Sequence, residues 1–255
     1  GIEPSELGSW GIDTLRLDYG FAPAIMRELA DAGDLRIEVN ASSMGENELS
    51  RLLETGIDPA VLCAGHNYYP RPDTGLSFEL FVRRSQFFQA MKIPVSVFVP
   101  GLQHPRGPLF AGLPTVEMHR RMTPVAAVRQ LWASGLVDSI VFGDPLIPTE
   151  DLTAVAELPC SEPNPLELRV VTYDLSQEER KLLFAPIHTN RNDAAGYVVR
   201  SQESREKQSV RFAPRQHSQE RRRGDLSIDN LRYGRYEGEL QILLRDLPPD
   251  EKVNV

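Results

Sequence analysis

The sequence predicts an α/β fold with a parallel sheet in residues 1–158, followed by a smaller and mostly β domain in residues 166–255. Short apolar runs alternate with helical stretches five times in the first region, as in βα units joined by right-handed crossovers. In the second region, short stretches of alternating apolar and polar residues are separated by turn residues instead. The Pro-rich stretch 159–165 lies between them and is interpreted as a linker.

The first region contains five candidate strands and the helices that connect them. Strands are predicted at residues 14–18, 35–40, 60–65, 93–101 and 138–144, and helices at residues 22–32, 46–56, 78–91 and 123–135. Thr123-Pro124 has the pattern of a helix N-cap followed by Pro at the first helical position. An eight-stranded barrel takes roughly 250 residues. The residues alone therefore leave two alternatives, a small open sheet and the last five units of a barrel.

The second region is expected to form a small β-barrel or sandwich. Strands are predicted at residues 166–174, 196–201, 209–214, 224–230 and 238–246. One helix is predicted after Ser176, because Ser176 and Glu179 have the spacing of a capping box.

Composition argues against several classes of partner. The formal net charge is −8, which disfavours nucleic acid as the main ligand, because a phosphate backbone attracts clustered Lys and Arg. The two cysteines, Cys63 and Cys160, lie far apart and lack the spacing of a zinc site or a disulfide framework. No run approaches the roughly 20 apolar residues that a membrane span needs, and no signal peptide is visible. We therefore expect a cytoplasmic protein with no membrane partner.

Polar side chains stand at the carboxyl ends of four predicted strands: Asp18, Asn40, His66-Asn67 and Asp144. That edge of the sheet is where α/β enzymes bind their ligands. Arg16 and Glu38 lie on strand faces that would also be polar, since every second side chain of a strand points the same way. The alternative explanation for this polar face is an internal ion pair between Arg16 and Glu38 without a chemical role.

The stretch that follows the third predicted strand combines hydrogen-bonding and aromatic groups. His66 and Asn67 offer directional donors and acceptors, while Tyr69 offers a flat apolar surface with a polar tip. Arg71 could bind an anion through its planar guanidinium. This combination suits a sugar or phosphosugar, and no Gly-rich nucleotide motif is present. No second His lies at ligand spacing from His66, so a metal is not expected.

Three further stretches place charged residues among small polar groups: 112–121, 188–193 and 227–239. In the first, Glu117 would supply a carboxylate and His119 or Arg120 would bind an anion, although a polar helix start explains the pattern equally well. The second and third stretches also fit ordinary turn chemistry. Because pockets often form at domain interfaces, one of the two is expected to reach the ligand of the first domain.

Seven motifs together resemble one known family. They are LRLDYGF, IEVNAS, HNYYPRPDTGLS, GLPTVEMHR, FGDPLI, HTNR and IDNLRYGRYEGELQI, in this order along the chain. The sequence is similar to the 6-phospho-N-acetylmuramidase family of glycoside hydrolases. The resemblance implies a (β/α)8 TIM-type barrel followed by a cyclophilin-like β-barrel domain. It also implies hydrolysis of the β-1,4 bond between 6-phospho-N-acetylmuramic acid and N-acetylglucosamine in cytoplasmic cell-wall recycling, with no cofactor.

Family members carry about three further βα units before the position of Gly1, which would complete the eight units of a barrel. The resemblance therefore favours the last five units of a barrel over a small open sheet. On this basis we expect the 255-residue chain alone to be inactive, because half a pocket would be open to water.

The resemblance and the residues together give a set of candidate site residues. Glycoside hydrolysis normally uses two carboxyl groups, although the acetamido group of a 2-acetamido sugar can replace a protein nucleophile. The candidate catalytic residues are Asp18 and Glu117, ahead of Glu38 and Asp144. The candidate substrate-binding residues are Asn40, His66, Asn67, Tyr69, Arg71, His119, Arg191, Asn230 and Arg235. The expected partner is a phosphorylated amino-sugar disaccharide, whose phosphate is assigned to Arg191 first and Arg71 second because Arg binds phosphate bidentately.

Two rival functions stay open from the sequence. One is a barrel phosphosugar isomerase or aldolase; the aldolase would need an essential Lys, and Lys92 is the one Lys of the first region. The other is a non-catalytic phosphosugar-binding or surface protein. The choice of acid and base, the stereochemical mechanism and the oligomeric state are also left open.

Overall fold

The computed structural model describes residues 4–18, 20–33, 35–158, 168–205, 210–215 and 220–255. The chain divides into two units, one of residues 1–166 and one of residues 167–255. The predicted linker 159–165, which contains Cys160, lies outside the described residues.

The first unit is an α/β structure built on a parallel sheet, as predicted. Its strands are β1 (Thr14–Leu17), β2 (Arg36–Asn40), β3 (Leu62–Gly65), β4 (Val95–Val99) and β5 (Ser139–Phe142). Its helices are α1 (Pro4–Ser9), α2 (Pro23–Gly33), α3 (Glu46–Glu54), α4 (Phe78–Ala90), α5 (Pro124–Ala133) and α6 (Thr149–Ala156). The five strands pair in sequence order and in parallel. Among the described residues β1 and β5 are the two edges, so the sheet is open rather than closed into a barrel.

Local sequence explains where the helices begin. Ser77 precedes α4 and its side chain accepts a hydrogen bond from the amide of Leu80, and Thr123 caps α5 in the same way through Ala126. Such caps satisfy amides that have no partner inside the helix. The predicted N-cap at Thr123 is therefore confirmed.

The core of the first unit lies between the sheet and its helices. Ile37, Val39 and Val97 are fully buried on the strands, and Phe81 and Phe88 are fully buried on α4. On β2 the side chains that alternate with Ile37 and Val39 are polar. On β2, one face therefore packs in the core and the other carries polar residues.

The second unit contains one helix and an antiparallel sheet. The helix is α7 (Gln177–Leu183), and the strands are β6 (Val198–Arg200), β7 (Leu226–Asp229), β8 (Leu240–Leu243) and β9 (Val253–Asn254), in the order β6-β8-β7-β9. The capping box predicted at Ser176 and Glu179 is confirmed before α7.

Two of the strand predictions in the second unit are wrong over the residues that the structure describes. Residues 168–174 and 210–214 are irregular. Alternation shows which side chains turn inward, but it does not show whether a neighbouring strand is available. Phe212 is buried and packs in a cluster with Ile228 and Leu240, although its segment is not a strand.

The two faces of the antiparallel sheet differ in chemistry. Leu226, Ile228 and Leu240 lie on the face that packs with Phe212. In register on the opposite face lie Ser227, Asp229, Glu239, Gln241 and Arg200, and we call this the polar face.

Candidate active site

The guanidinium of Arg16, on β1, joins side chains from three neighbouring strands. Its Nε donates to Asp18 Oδ1 at 2.9 Å, its Nη1 donates to Glu38 Oε1 at 2.8 Å, and its Nη2 donates to Asn67 Oδ1 at 2.7 Å. The Arg16–Glu38 ion pair considered from the sequence therefore exists. It is one part of a larger arrangement, because the same guanidinium also contacts Asp18 and Asn67.

Asn40, at the end of β2, completes the arrangement. Its Nδ2 donates to Asp18 Oδ1 at 3.2 Å and to Asn67 Oδ1 at 3.0 Å. The sequence predicted a ligand site at this edge of the sheet, and the structure brings these residues together there. We call the group of Arg16, Asp18, Glu38, Asn40 and Asn67 the strand-end cluster.

Gly65, the last residue of β3, makes room for the cluster. A Cβ at Gly65 would overlap the carboxylate of Glu38 and come within 2.7 Å of Arg16 Nη1. Any other residue would therefore force the ion pair apart. Glu38 also accepts a hydrogen bond from Ser96 Oγ at 3.3 Å, so both of its oxygens are engaged.

Asp18 is the most exposed member of the Arg16 ion pairs. Its side chain is 49% exposed, against 28% for Arg16 and 20% for Glu38. The hydrogen bonds that hold it, from Arg16 and Asn40, both go to Oδ1. Asp18 is therefore held in place from one side while it remains accessible to a ligand.

His66 is buried and is linked to the cluster through Ser42. It is fully buried, with Nδ1 at 3.1 Å from Ser42 Oγ and Nε2 at 3.0 Å from Ser85 Oγ. Burial, with smaller contributions from Arg84 and Arg16, lowers its pKa to about 3, so the ring is neutral at physiological pH. In this position the His66 ring is shielded from solvent, so direct binding of a ligand by His66 stays a prediction that these contacts do not favour.

Ser42 was missed by sequence reasoning. Its amide donates to Asn40 Oδ1 at 3.0 Å, and its Oγ accepts from the amide of Asn67 at 2.9 Å. Ser42 thus connects the side chain of Asn40, the backbone amide of Asn67 and the ring of His66. A serine two residues after a strand gives no distinctive signal in one sequence, so this role is visible only in the fold.

Glu117 binds backbone and a buried arginine. Its Oε1 accepts from the amide of Asp73 at 3.0 Å, and its Oε2 accepts from the amide of Gly75 at 2.7 Å and from Arg120 Nη2 at 2.7 Å. The hydrogen bonds from Arg120, with those from Asp73 and Gly75, hold the pKa of Glu117 at about 2 despite partial burial. These contacts favour a structural role, so catalysis by Glu117 stays a prediction.

Asp144 likewise holds a loop. Its Oδ2 accepts from the amides of Gly101 at 2.9 Å and Leu113 at 3.1 Å, and its Oδ1 accepts from the amide of Arg106 at 2.8 Å. The side chain is 3% exposed. Asp144 therefore fixes the loop between β4 and α5, and an additional catalytic role stays a prediction.

Three further candidates of the first unit have no hydrogen bond to the strand-end cluster among the residues that the structure describes. Tyr69 is half-buried and packs against the core, and Arg71 is exposed. His119 is fully buried, with Nε2 at 2.8 Å from Gln130 Oε1, and burial lowers its pKa. Binding of a ligand by these three residues stays a prediction.

The candidates of the second unit differ from one another. Asn230 is fully buried, and its Nδ2 donates to the carbonyl of Glu251 at 3.0 Å and to Asn254 Oδ1 at 3.1 Å, which indicates a structural role. Arg235 is exposed and donates to Tyr236 Oη at 2.6 Å. Arg191 lies in a charged group described below.

Cys63 has no character of a nucleophile. Burial, and secondarily the neighbouring Glu38, raise the pKa of its thiol to about 11. Across the described ranges, no group of three or more His, Cys, Asp or Glu is placed to hold a metal ion. None of the helices in the described part of the chain is long and apolar enough to cross a membrane.

Both regions of the chain match family models. The model for the N-terminal part of 6-phospho-N-acetylmuramidase matches residues 2–157, and the model for its C-terminal part matches residues 166–255. The chain belongs to the 6-phospho-N-acetylmuramidase family. That family name indicates a glycoside hydrolase, and it confirms the resemblance seen in the motifs. Among curated proteins, no match to the chain was found.

Two solved structures are similar to this chain. The crystal structure of an uncharacterized B. cereus protein is 30% identical, with a TM-score of 0.78, and the alignment covers 99% of this chain and 74% of that one. The crystal structure of a conserved protein from a locus in Enterococcus faecalis, with an unknown function, is 36% identical, with a TM-score of 0.69, over 99% of this chain and 67% of that one.

Proposed function

We propose that this protein hydrolyses the β-1,4 glycosidic bond of 6-phospho-N-acetylmuramyl-N-acetylglucosamine, in the cytoplasmic recycling of cell-wall fragments. Membership of the 6-phospho-N-acetylmuramidase family supports the substrate class. The observation that carries the proposal is the strand-end cluster, in which the exposed carboxylate of Asp18 is held by Arg16 and Asn40. It lies at the sheet edge where α/β enzymes place their chemistry.

The finer architecture belongs to the same proposal. The five βα units would be part of a (β/α)8 TIM-type barrel, and the second unit would be a cyclophilin-like domain. Over the described residues, β1 and β5 each pair with one neighbouring strand.

The contacts of the four candidate carboxylates narrow the chemistry. Glu117 and Asp144 are held by backbone amides, and Glu38 is held by Arg16 and Ser96. Asp18 is the one of the four that combines exposure with an oxygen that these hydrogen bonds do not use. Substrate-assisted attack, in which the acetamido group of the sugar replaces a protein nucleophile, requires fewer accessible carboxylates than the two-carboxylate mechanisms. We therefore propose substrate-assisted attack, in which the acetamido oxygen attacks the anomeric carbon while Asp18 donates a proton to the leaving glycosidic oxygen, and Asp18 then takes a proton from the water that opens the cyclic intermediate.

The test uses the full-length protein and a chromogenic β-glycoside of 6-phospho-N-acetylmuramic acid, with the unphosphorylated glycoside as the matched control. We expect release of the chromophore from the phosphorylated compound and a kcat/KM at least about tenfold lower for the control, which lacks the charge-assisted contacts of the phosphate. Saturable binding of the phosphorylated compound without release would favour the non-catalytic alternative. Conversion to another phosphosugar without release would favour an isomerase.

A further inference from the structure

A single carboxylate bridges two arginines at the polar face of the second unit. Arg191 Nε donates to Asp193 Oδ1 at 2.8 Å, and Arg191 Nη2 donates to Asp193 Oδ2 at 3.0 Å. Arg200, the last residue of β6, donates from Nη2 to the same Oδ2 at 2.9 Å. Asp193 therefore occupies the space where the two guanidinium groups converge.

A second carboxylate lies beneath the two arginines at a longer distance. Glu239 Oε1 is 3.7 Å from Arg191 Nη1 and 3.6 Å from Arg200 Nη1, which is close enough for ion pairing but too long for hydrogen bonds. Two guanidinium groups thus face two carboxylates. Asp229 lies opposite Glu239 on the same face, and burial together with Glu239 raises the pKa of Asp229 to about 7.

Several buried polar atoms in this group have no hydrogen-bond partner among the residues that the structure describes: Arg191 Nη1, Arg200 Nε and Glu239 Oε1. Native proteins leave few such atoms, and each one calls for a specific cause. Two of the three are donors of the arginines themselves. The group therefore has hydrogen-bonding capacity that its own side chains do not use.

Exposure decreases from Asp193 inward. The Asp193 side chain is 63% exposed, Arg191 is 16% exposed, Arg200 is 22% exposed and Glu239 is 5% exposed. Asp193 thus lies on the solvent side, and Glu239 lies on the protein side. Exposed ion pairs contribute little stability, so Asp193 can leave its position at a lower cost than any other member of the group.

We propose that Arg191 and Arg200 form a binding site for a phosphate dianion, and that Asp193 is an internal counter-ion that the dianion displaces. The identity of the dianion as the phosphomonoester of the substrate rests on the proposed function, but the site itself follows from the geometry. With Asp193 displaced, the two arginines carry one positive charge in excess of Glu239. A phosphomonoester has three non-bridging oxygens and inorganic phosphate has four, enough to bridge two guanidinium groups, and arginine binds such oxygens bidentately.

The site makes Arg200 a binding residue that the motif HTNR did not indicate. Arg200 lies nine positions after Arg191 in sequence, and the two are brought together because the amide of Arg191 donates to the carbonyl of Arg200 at 3.1 Å. This backbone hydrogen bond fixes the separation of the two side chains before any ligand arrives.

The test is a calorimetric titration of the full-length protein with inorganic phosphate, at an ionic strength held constant with chloride. Asp193→Asn removes the competing charge and keeps the shape of the side chain. Glu220→Gln is the matched control, because Glu220 and Arg222 form an exposed ion pair in the same unit and the change in net charge is equal. We expect Asp193→Asn to tighten phosphate binding on the order of tenfold, the size of one charge-assisted contact, and Glu220→Gln to change it less than about twofold.

A third variant tests the second arginine. Arg200→Gln, in the background of Asp193→Asn, should reverse the gain. Equal tightening by Asp193→Asn and Glu220→Gln would show a general charge effect and would overturn the proposal, as would the absence of saturable phosphate binding in both the wild type and Asp193→Asn. If circular dichroism shows that Asp193→Asn does not fold, Asp193→Ala replaces it. Tighter phosphate binding by Asp193→Ala and loss of binding in Arg200→Gln alone would then support the proposal, and the absence of both would overturn it.

The titration separates this proposal from the proposed function. Phosphate binding that follows the expected pattern, without hydrolysis of any phosphomuramyl glycoside, would leave the dianion site in place and overturn the hydrolase. Hydrolysis of a phosphomuramyl glycoside, with no effect of Asp193→Asn on phosphate binding, would overturn the dianion site and leave the hydrolase in place.

Discussion

The carboxyl edge of the parallel sheet and the polar face of the antiparallel sheet both collect charged side chains, but they satisfy them differently. At the parallel sheet, Glu117 and Asp144 are each bound by two or three backbone amides. At the polar face, Arg191, Arg200 and Glu239 retain buried atoms without partners among the described residues. Satisfied charges hold loops in place, whereas charges with unused hydrogen-bonding capacity are available to a ligand.

The same distinction applies within the first unit. Asp18 and Glu117 were equal first candidates from the sequence. Asp18 is half-exposed with its contacts on one oxygen, and Glu117 has both oxygens bound to amides and to Arg120. The comparison predicts that substitution of Asp18 will lower kcat, whereas substitution of Glu117 will lower the free energy of unfolding.

The largest expected effect is on turnover at Asp18. Asp18→Asn keeps the size of the side chain and removes the carboxyl group that would transfer the proton, so kcat should fall by about 10²- to 10⁴-fold, the usual contribution of a proton-transferring group. The matched control is Asp31→Asn, since Asp31 pairs with Arg27 on the exposed side of α2 and lies outside the cluster. The kcat of both variants is measured on the phosphorylated glycoside. Equal kcat values for Asp18→Asn and Asp31→Asn would show that Asp18 has no catalytic role.

The next effect is on stability at Glu117. Glu117→Gln removes the charge that pairs with the guanidinium of Arg120, which keeps its hydrogen bonds to backbone carbonyls, so the free energy of unfolding should fall by about 2 kcal/mol, the size of a hydrogen bond to a charged group. Urea denaturation measures the change. The exposed Glu54→Gln, at the end of α3, should change it by less than about 0.5 kcal/mol.

The pH dependence of stability gives Glu117 a second test. Its pKa is depressed from 4.5 to about 2 in the folded protein, so its stabilising contribution is fully present above pH 4.5 and is lost as the pH falls toward 2. The Glu117→Gln variant should not show the part of the acid-induced loss of stability that comes from Glu117. If wild type and variant lose stability in parallel between pH 4.5 and 2, Glu117 is not held as described.

A smaller effect is expected on substrate affinity at the polar face. Arg191→Ala should raise KM for the phosphorylated glycoside by about 10- to 100-fold, which corresponds to the roughly 1.5–3 kcal/mol of hydrogen bonds to a charged group. KM for the unphosphorylated compound should stay nearly unchanged. Arg232→Ala is the control, since Arg232 forms an exposed pair with Glu251. An equal rise in KM for both compounds would show that Arg191 does not bind the phosphate.

Much of the fold could be predicted from the sequence because its signals are local. Apolar runs predicted the five strands of the first unit, and the N-caps Thr123 and Ser176 predicted two helix starts. The irregular segment around Phe212 and the two-residue strand β9 could not be predicted, because pairing depends on distant neighbours.

The site was predictable only in part. The polar strand ends indicated Asp18, Asn40 and Asn67, which the structure brings together. The sequence could not show that Glu117 binds the amide of Asp73, 44 residues away, or that Arg200 lies beside Arg191. Residue type and spacing identify groups capable of chemistry, and tertiary hydrogen bonds decide which of them are already used.

One measurement tests the central claim most directly: kcat per folded molecule for Asp18→Asn and Glu117→Gln, side by side on the phosphorylated glycoside. The accessible carboxylate carries the chemistry in this account, and the amide-bound one holds the loops. We therefore predict that Glu117→Gln stays within about threefold of wild type while Asp18→Asn falls by at least about 100-fold. A fall of similar size in both variants, or a larger fall in Glu117→Gln, would contradict it.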